Sequence, residues 1–340
     1  MSACFGERKK EEMSRHDLRA ARRWTAAAVL AALLAGCGTS TDGGDAGEDG
    51  RAASERTDVR VEPIAERRKI TDAKGETVAT PARPRRVVCL VALCDDMLAE
   101  LGMTPTATNS QLLAHPRFLG KAAAARVPVV PGGFLSPEAE AILSHEPDLV
   151  IGLGDTHGKL APALKGATVF WPVQPARWQD SVGYLRDLAA LTGRTTEGEA
   201  AERAFREKLA RAERARSERT ALVIFGSDEN FGVATEGNDV AAGLLPKIAT
   251  YPWRSRGVEG SYSMEEILAR DVDVLFVETL SFGGPAEGKL SEKLAKNPLW
   301  SRIPAVRNGA VHEVDPEVWA KGRGTRSLGI VLDEATAKLK

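Results

Sequence analysis

Two acidic residues recur at one spacing in both halves of the chain. Glu140 precedes Asp148 by eight residues, and Glu265 precedes Asp273 by the same eight. In each copy the glutamate opens a helix-compatible run, and the aspartate opens a β-branched apolar run typical of a buried strand. The helix dipole stabilises a carboxylate in the first turn by about 0.3–1 kcal/mol, which explains either glutamate alone. The repeat therefore predicts two similar α/β lobes, each with an acidic helix start on its surface.

Residues that could perform catalysis or hold a metal form only weak motifs. The sequence contains no Gly-x-Ser-x-Gly, His-Glu-x-x-His or Cys-x-x-Cys, and its histidines after the leader form no ligand-spaced pair. The run 283–289 resembles a phosphate-binding loop, but Leu290 stands where that motif needs Ser or Thr for magnesium. We expect no resident metal or cofactor. An extracytoplasmic enzyme using Asp95, Asp96 and His157 as acid–base groups is the alternative.

Composition and charge are those of a globular protein. The chain has 340 residues, of which 43% are hydrophobic and 27% charged, enough for two domains with sizeable cores. The formal net charge of −1 gives no basic excess that would indicate nucleic-acid binding.

The N-terminal residues have the pattern of an export signal. Arg22 and Arg23 precede an apolar run that is shorter than the roughly 20 residues needed to span a bilayer. The run ends in Leu-Ala-Gly followed by Cys37, which is typical of the bacterial lipobox. We predict a signal peptide over residues 1–36, a lipidated Cys37 and an extracytoplasmic protein anchored to the cell membrane. A plain signal peptide with an incidental cysteine is the alternative, and Met13 is an alternative start.

A polar segment follows the lipobox and leads into the body of the chain. Residues 38–62 contain hardly an apolar side chain that could support a core, which is typical of a flexible tether. We predict a tether over residues 37–67, an N-terminal lobe over 68–194, a linking helix over 195–219 and a C-terminal lobe over 220–340.

Two cysteines remain in the body of the chain. Cys89 lies in the predicted strand Arg86–Ala92, and Cys94 follows it, before a helix predicted from Asp95. If the five-residue separation between them were extended, their Cα atoms would be too far apart for a disulfide bond. We interpret them as buried small apolar residues, with a local disulfide as the alternative.

Capping signals and charge patterns place the main helices. Ser136 followed by proline predicts a helix start with serine at the cap. Ser263 and Glu266 form the pattern of a capping box. Residues 195–218 are alanine-rich, with opposite charges three and four residues apart, which favours a solvent-exposed helix acting as a rigid strut between lobes.

The order of these elements resembles the ferric-siderophore and cobalamin class of ABC-transporter substrate-binding lipoproteins over about residues 68–340. The resemblance is carried by the runs Glu140–Ile151, Leu191–Arg194 and Pro304–Trp319. It implies an α/β fold, in which two Rossmann-like lobes with central parallel sheets are joined by one long α-helix: the class III periplasmic-binding-protein fold. It also implies a monomeric receptor for an ABC permease and its ATPase, which docks through one surface glutamate per lobe. The matching residues are Glu140 and Glu265, with Glu138 as a rival to the first.

Candidate ligand residues follow from position, because open α/β sheets bind ligands beyond the carboxyl ends of their strands. These candidates are Asp95, Arg117, Phe118 and His157 in the first lobe and Phe231, Trp253, Arg254, Phe282, Trp319 and Arg323 in the second. Arginines would meet carboxylate or catecholate oxygens and aromatic rings would stack on the ligand, although core packing explains each aromatic equally well. The expected ligand is a ferric siderophore. Cobalamin or haem on the same fold and a purely structural lipoprotein are the alternatives.

Overall fold

The computed structural model describes residues 56–72, 74–228, 231–255, 262–280 and 287–340. The predicted signal peptide, Cys37 and the candidate Phe282 lie outside the described residues. No helix in the described part of the chain is long and apolar enough to cross a membrane.

The first lobe is built on a four-stranded parallel sheet. A small antiparallel hairpin precedes it, formed by β1 Lys69–Thr71 and β2 Thr77–Ala79. The strands of the sheet itself are β3 Val87–Cys89, β4 Ala107–Thr108, β5 Leu149–Leu153 and β6 Val169–Val173. The order in the main sheet is β4-β3-β5-β6. The helices of this lobe are α1 Ala92–Glu100, α2 Lys121–Ala124, α3 Ala139–Ser144, α4 Gly154–His157, α5 Ala161–Leu164 and α6 Trp178–Thr192.

The second lobe repeats this plan after one long helix, α7 Thr195–Arg214. Its strands are β7 Ala221–Gly226, β8 Gly232–Val233, β9 Val274–Thr279 and β10 Val311–Val314, in the order β10-β9-β7-β8. β8 runs antiparallel to β7, whereas β7, β9 and β10 are parallel. The helices are α8 Leu245–Ile248, α9 Met264–Leu268, α10 Leu290–Leu294, α11 Pro304–Arg307 and α12 Thr325–Lys338, with a π-helical segment at Glu317–Gly322.

The repeated aspartate anchors the start of the neighbouring strand in both lobes. Asp148 accepts hydrogen bonds from the backbone N–H groups of Arg85 and Arg86 at 2.9 and 3.0 Å. Asp273 accepts one from the backbone N–H of Thr220 at 2.8 Å. Two residues before each aspartate, Glu146 and Asp271 both have a φ of 46°, in the left-handed region that other residues than glycine rarely adopt. The sequence repeat is therefore one local backbone device built twice.

Helix α7 is not the solvent-exposed strut that its charge pattern predicts. Phe205 and Leu209 are buried in a core shared with α6 and α12. Glu202 is 2% exposed, and its two carboxylate oxygens pair with Arg186 at 2.5 Å and Arg206 at 2.7 Å. Sequence reasoning missed the buried face because small alanines rather than large apolar residues form much of it.

Residues 56–67 run along α7 and α6 as a strap. Thr57 donates from its backbone N–H and hydroxyl to Glu213 at 3.0 and 2.7 Å. The backbone N–H of Ile64 donates to Glu199 at 2.7 Å, and the Ile64 side chain is buried. Several backbone polar groups of this segment are therefore satisfied by side chains of α6 and α7, which hold the strap against the two helices.

The two body cysteines form a disulfide, and their interpretation as unpaired residues is wrong. Cys89 and Cys94 have Cα atoms 5.4 Å apart. The prediction assumed an extended chain between them. Helix α1 instead begins at Ala92, three residues before the predicted start at Asp95, so the chain turns back and brings the two side chains together.

Candidate ligand-binding site

The two lobes meet beside the carboxyl ends of their strands. The loop after β4 reaches the second lobe, where the backbone N–H of Gln111 donates to the Glu317 carboxylate at 3.3 Å. Leu112 is buried in the same apolar cluster as Trp319 and Leu328. This contact forms the floor of the interlobe region, at the sheet edge where the sequence predicts the ligand.

Asp95 lies at this floor but is fully buried. Its carboxylate accepts hydrogen bonds from the hydroxyls of Thr108 at 2.7 Å and Ser110 at 2.5 Å, while its Oδ1 has no hydrogen-bond partner among the described residues. Burial raises the pKa of Asp95 to about 7, against the lowering effect of the two hydroxyls. Through these two hydroxyl groups Asp95 orders the loop after β4.

The neighbouring Asp96 joins the lobes by capping helix α12. Its carboxylate accepts from the backbone N–H groups of Arg326 at 3.1 Å and Ser327 at 2.8 Å, the second and third residues of that helix. Gly324 precedes the helix and has no side chain to cap it; a Cβ there would lie 2.2 Å from Asp96 Oδ1. Burial, and next the nearby Glu100, raise the pKa of Asp96 to about 7. A residue of the first lobe thus satisfies a helix end of the second.

Arg117 and Phe118 contact the second lobe directly. The Arg117 guanidinium pairs with Asp333 at 2.8 Å, and Lys208 of α7 pairs with the same carboxylate at 2.6 Å. The guanidinium of Arg326 lies 5.4 Å from the centre of the Phe118 ring. Both candidates therefore lie between the lobes, where they already contact side chains of α12.

His157 is fully buried, and both ring nitrogens bind backbone groups. Nδ1 accepts from the N–H of Leu153 at 3.0 Å, so Nε2 carries the proton and donates to the carbonyl of Phe134 at 2.7 Å. Burial lowers the pKa of His157, which favours this neutral form. The ring fastens the loop before α3 to the end of β5.

The candidates Phe231, Trp253 and Arg254 lie in the second lobe, at different places. Trp253 is 2% exposed, donates to the carbonyl of Ala221 at 2.8 Å and lies under Arg270, so it belongs to the core. Ala221 starts β7, and Trp253 is therefore at the end of the sheet away from the predicted site. Arg254 beside it is exposed, and Phe231 is half-buried against the same core.

Trp319 and Arg323 belong to the π-helical segment and its end. Trp319 is fully buried, stacks on Phe276 with ring centres 4.9 Å apart and donates to Glu334 at 2.7 Å. Arg323 is half-buried and its Nε donates to the carbonyl of Ala320 at 2.9 Å. Its φ is 57°, a strained value for arginine. Among the described residues, the terminal nitrogens of the Arg323 guanidinium have no hydrogen bond, and only its Nε is engaged.

Sequence reasoning missed two buried carboxyl groups beside Arg323. Glu278, the penultimate residue of β9, is 1% exposed, and Asp239 is 8% exposed. Burial raises the pKa of Glu278 well above its usual range, and Asp239 raises it further while Arg323 lowers it. Burial also raises the pKa of Asp239. A signal was present in the sequence, because a glutamate ends the otherwise apolar run of β9.

The two repeated glutamates occupy the same helical position. Glu140 is the second residue of α3 and Glu265 the second of α9, and both are exposed. The predicted serine cap of the first helix is wrong: α3 starts at Ala139, and Glu138 is the residue at its cap, without a capping side-chain bond. The predicted capping box of α9 is confirmed, with Glu266 N–H donating to the Ser263 hydroxyl at 3.2 Å and Ser263 N–H to the Glu266 carboxylate at 3.0 Å.

Comparison with known proteins decides the family. The model of the family described as periplasmic binding protein matches residues 87–318, from the first strand of the main sheet to the π-helical segment. The chain belongs to the periplasmic binding protein family.

Relatives of this periplasmic binding protein agree with the match. It is 26% identical over 314 residues to YfmC of Bacillus subtilis, named as an Fe(3+)-citrate-binding protein, covering 88% of this chain and 90% of the relative. Its structure is similar to that of the petrobactin-binding protein YclQ of Bacillus subtilis, with a TM-score of 0.68 and 16% identity over 80% of this chain and 98% of the other. A siderophore periplasmic binding protein from the fuscachelin gene cluster of Thermobifida fusca has a TM-score of 0.59 and 25% identity, covering 76% and 98%. The predicted family and class III fold are confirmed.

Among the described residues, the periplasmic binding protein has no group of three or more His, Cys, Asp or Glu side chains that could hold a metal ion.

Proposed function

We propose that this protein is a lipid-anchored, extracytoplasmic receptor that captures a ferric-siderophore complex and delivers it to an ABC permease and its ATPase. The observation that carries the proposal is the two-lobed, helix-linked fold of a periplasmic binding protein family member, whose relatives are named for binding Fe(3+)-citrate and siderophores. The lipobox around Cys37 supports the anchor.

A binding role fits the chemistry of the interlobe floor better than an enzymatic one. The proposed acid–base enzyme would use Asp95, Asp96 and His157. Asp96 is bonded to a helix end and both nitrogens of His157 are bonded to backbone groups, so neither offers a group to a reacting atom. We propose that the protein is not an enzyme, acts as a monomer and holds no resident cofactor.

Permease docking is proposed for Glu140 and Glu265. Both are exposed second residues of their helices, and their surroundings repeat through the left-handed residue to the anchoring aspartate. Glu138 becomes the weaker rival, because it stands at the cap position and not at the position of Glu265.

Titration of the delipidated protein with ferric siderophores tests the ligand. Ferric chelates absorb where tryptophan emits, so binding near Trp319 should quench tryptophan fluorescence. Hydroxamate, catecholate, mixed and citrate complexes would be compared with their iron-free forms. Quenching by at least one ferric complex at micromolar concentration supports the proposal. Absence of quenching by all of them, with an absorbance change on adding cobalamin or haem, would transfer the function to those ligands.

A further inference from the structure

The repeat predicts an apolar residue where Glu278 stands. Counting from the anchoring aspartates, Leu153 follows Asp148 and Glu278 follows Asp273 by the same five residues, and both lie at the end of the central strands β5 and β9. Leu153 packs against the apolar cluster of its lobe. The same backbone device is therefore complete with a leucine at this position, and the fold does not require a carboxyl group there.

Glu278 is also unsatisfied. Its Oε1 is buried and has no hydrogen-bond partner among the described residues, and the residue as a whole is only 1% exposed. Burying a carboxyl group without a hydrogen bond is costly, so such a group in a folded protein calls for a function. On its sheet face Glu278 follows Val274 and Phe276, which places it above the core and toward the interlobe edge.

Glu278 has charged neighbours, but its Oε1 has no hydrogen-bond donor among the described residues. The Asp239 carboxyl group and the Arg323 guanidinium both act electrostatically on Glu278, and Arg323 also acts on Asp239. Asp239 is fixed by the backbone N–H of Ala242 at 2.6 Å, and Arg323 by the carbonyl of Ala320 at 2.9 Å. With Asp239 and Arg323 offsetting each other, burial favours the neutral form of Glu278, and its Oε1 has no donor among the described residues.

We propose that Glu278, with Asp239 and Arg323, forms a subsite that holds a positively charged amino group at the periphery of the ferric ligand. This inference rests on the proposed function and narrows its substrate class to ferric chelates that carry an ammonium group. An ammonium supplies up to three hydrogen-bond donors and a positive charge that pairs with the ionised carboxylate. Its arrival stabilises the ionised form of Glu278, so binding releases a proton.

Ferric desferrioxamine B, which carries a free primary amine, and its ferric N-acetyl derivative, which is neutral at that position, test the proposal. Isothermal titration at pH 7 should show the amine form binding about tenfold or more tightly to the wild-type protein. Repeating the titration in buffers of different ionisation enthalpy should show proton release for the amine form alone.

Two variants assign the preference to the residue. Glu278→Gln keeps a hydrogen-bonding side chain without the charge, and Glu278→Leu copies the first lobe. Both should reduce the affinity ratio between the two chelates to near one and remove the proton release. Glu292→Gln, at an exposed carboxylate of α10, should keep the wild-type ratio. Thermal unfolding of each variant establishes that it is folded.

Three results would overturn the inference. The inference fails if the wild-type protein binds the two chelates with equal affinity. It also fails if the affinity ratio between the two chelates is unchanged in Glu278→Leu. Binding of ferric citrate with no binding of either hydroxamate removes the subsite but keeps the proposed function. Failure of every ferric chelate to bind overturns the proposed function itself.

Discussion

The unit α3–β5 of the first lobe and the unit α9–β9 of the second share a backbone and differ in chemistry. Each has an exposed glutamate at its second helical position and a left-handed residue before an aspartate that holds the adjacent strand. At the far end of the strand, Leu153 completes a core in one lobe and Glu278 remains unsatisfied in the other. The residue at the carboxyl end of the strand is therefore free to vary once the start of the strand is fixed.

The lobes also differ in how they close their local structure. The first lobe fastens the crossover after β3 with a disulfide, and caps α12 of the second lobe through Asp96. The second lobe uses a capping box at α9, where α3 of the first lobe has no side-chain cap. These differences can be separated by substitution, since each involves a distinct pair of groups.

The largest expected effect is at the contact between lobes. Asp96→Ala should lower the free energy of unfolding by about 2–3 kcal/mol, because two backbone N–H groups of α12 lose their acceptor in a buried place. Urea denaturation measures it. Asp96→Asn, which keeps an acceptor oxygen, should lose less. Equal losses in the two variants would show that the capping bonds are not the cause.

Stability should also fall as the pH rises. The folded-state pKa values of Asp95 and Asp96, both about 7, lie above the ordinary value, so the folded protein keeps protons that the unfolded chain has released between about pH 4 and 7. The free energy of unfolding should therefore decrease by about 2–3 kcal/mol from pH 6 to pH 8. The double variant Asp95→Asn with Asp96→Asn should flatten this slope in denaturation curves. An unchanged slope would assign it to other groups.

The disulfide of the first lobe should contribute a similar amount to the free energy of unfolding. Cys89→Ala with Cys94→Ala removes a short covalent loop, which is expected to cost about 2 kcal/mol through the entropy of the unfolded chain. Chemical denaturation of the variant, compared with the wild-type protein before and after reduction, measures the loss. If reduction alone leaves the wild-type midpoint unchanged, the two cysteines are not bridged in solution.

Substitution of the two proposed docking glutamates should affect transport and not ligand binding. Glu140→Ala or Glu265→Ala should each reduce uptake of the ferric ligand by about five- to tenfold, which corresponds to roughly 1–1.4 kcal/mol for one lost ion pair. Glu138→Ala should have little effect on uptake. Uptake of radioactive iron by cells and titration of the purified variants separate the two steps. A matching loss of affinity would place these residues in the ligand site.

The smallest effect distinguishes the two helix starts. Ser263→Ala should destabilise the protein by about 1 kcal/mol or less, because it removes the acceptor of the Glu266 N–H. Glu138→Ala, at the equivalent cap position of α3, should change the stability by less, since no side-chain capping bond is present there. Thermal unfolding midpoints of the two variants suffice to compare them.

Sequence patterns predicted the elements that are determined locally. Helix α6 spans Trp178–Thr192 and ends at Gly193 with a φ of 74°, a conformation that glycine adopts readily after the last turn of a helix. The strands, the capping box and the repeated glutamate–aspartate spacing could likewise be recognised from the local sequence. Patterns failed where tertiary contacts decide: the Glu138 N–H donates to the carbonyl of Pro131, and this turn displaces the helix start that Ser136 and its proline would favour.

Site residues were harder to predict than elements. Position at a sheet edge suggested Asp95 and Arg323 as ligand residues, but it could not show that Trp253 and Trp319 pack in cores or that Arg117 is paired with Asp333. The sequence separation between such partners is large, and no local pattern records it. Glu278 was detectable as a charge in an apolar strand, yet its meaning depends on the neighbours that the fold supplies.

The strap formed by residues 56–67 has a mechanical consequence. It follows α7 from Glu213, which also pairs with Lys247 of the second lobe at 2.7 Å, back to Glu199 near the start of the helix. A pull transmitted through the chain before Thr57 would load the hydrogen bonds of the strap to α7 before it reached either sheet. The lobes would therefore keep their relative orientation under tension at the N-terminal side, because the load-bearing element is the helix that joins them.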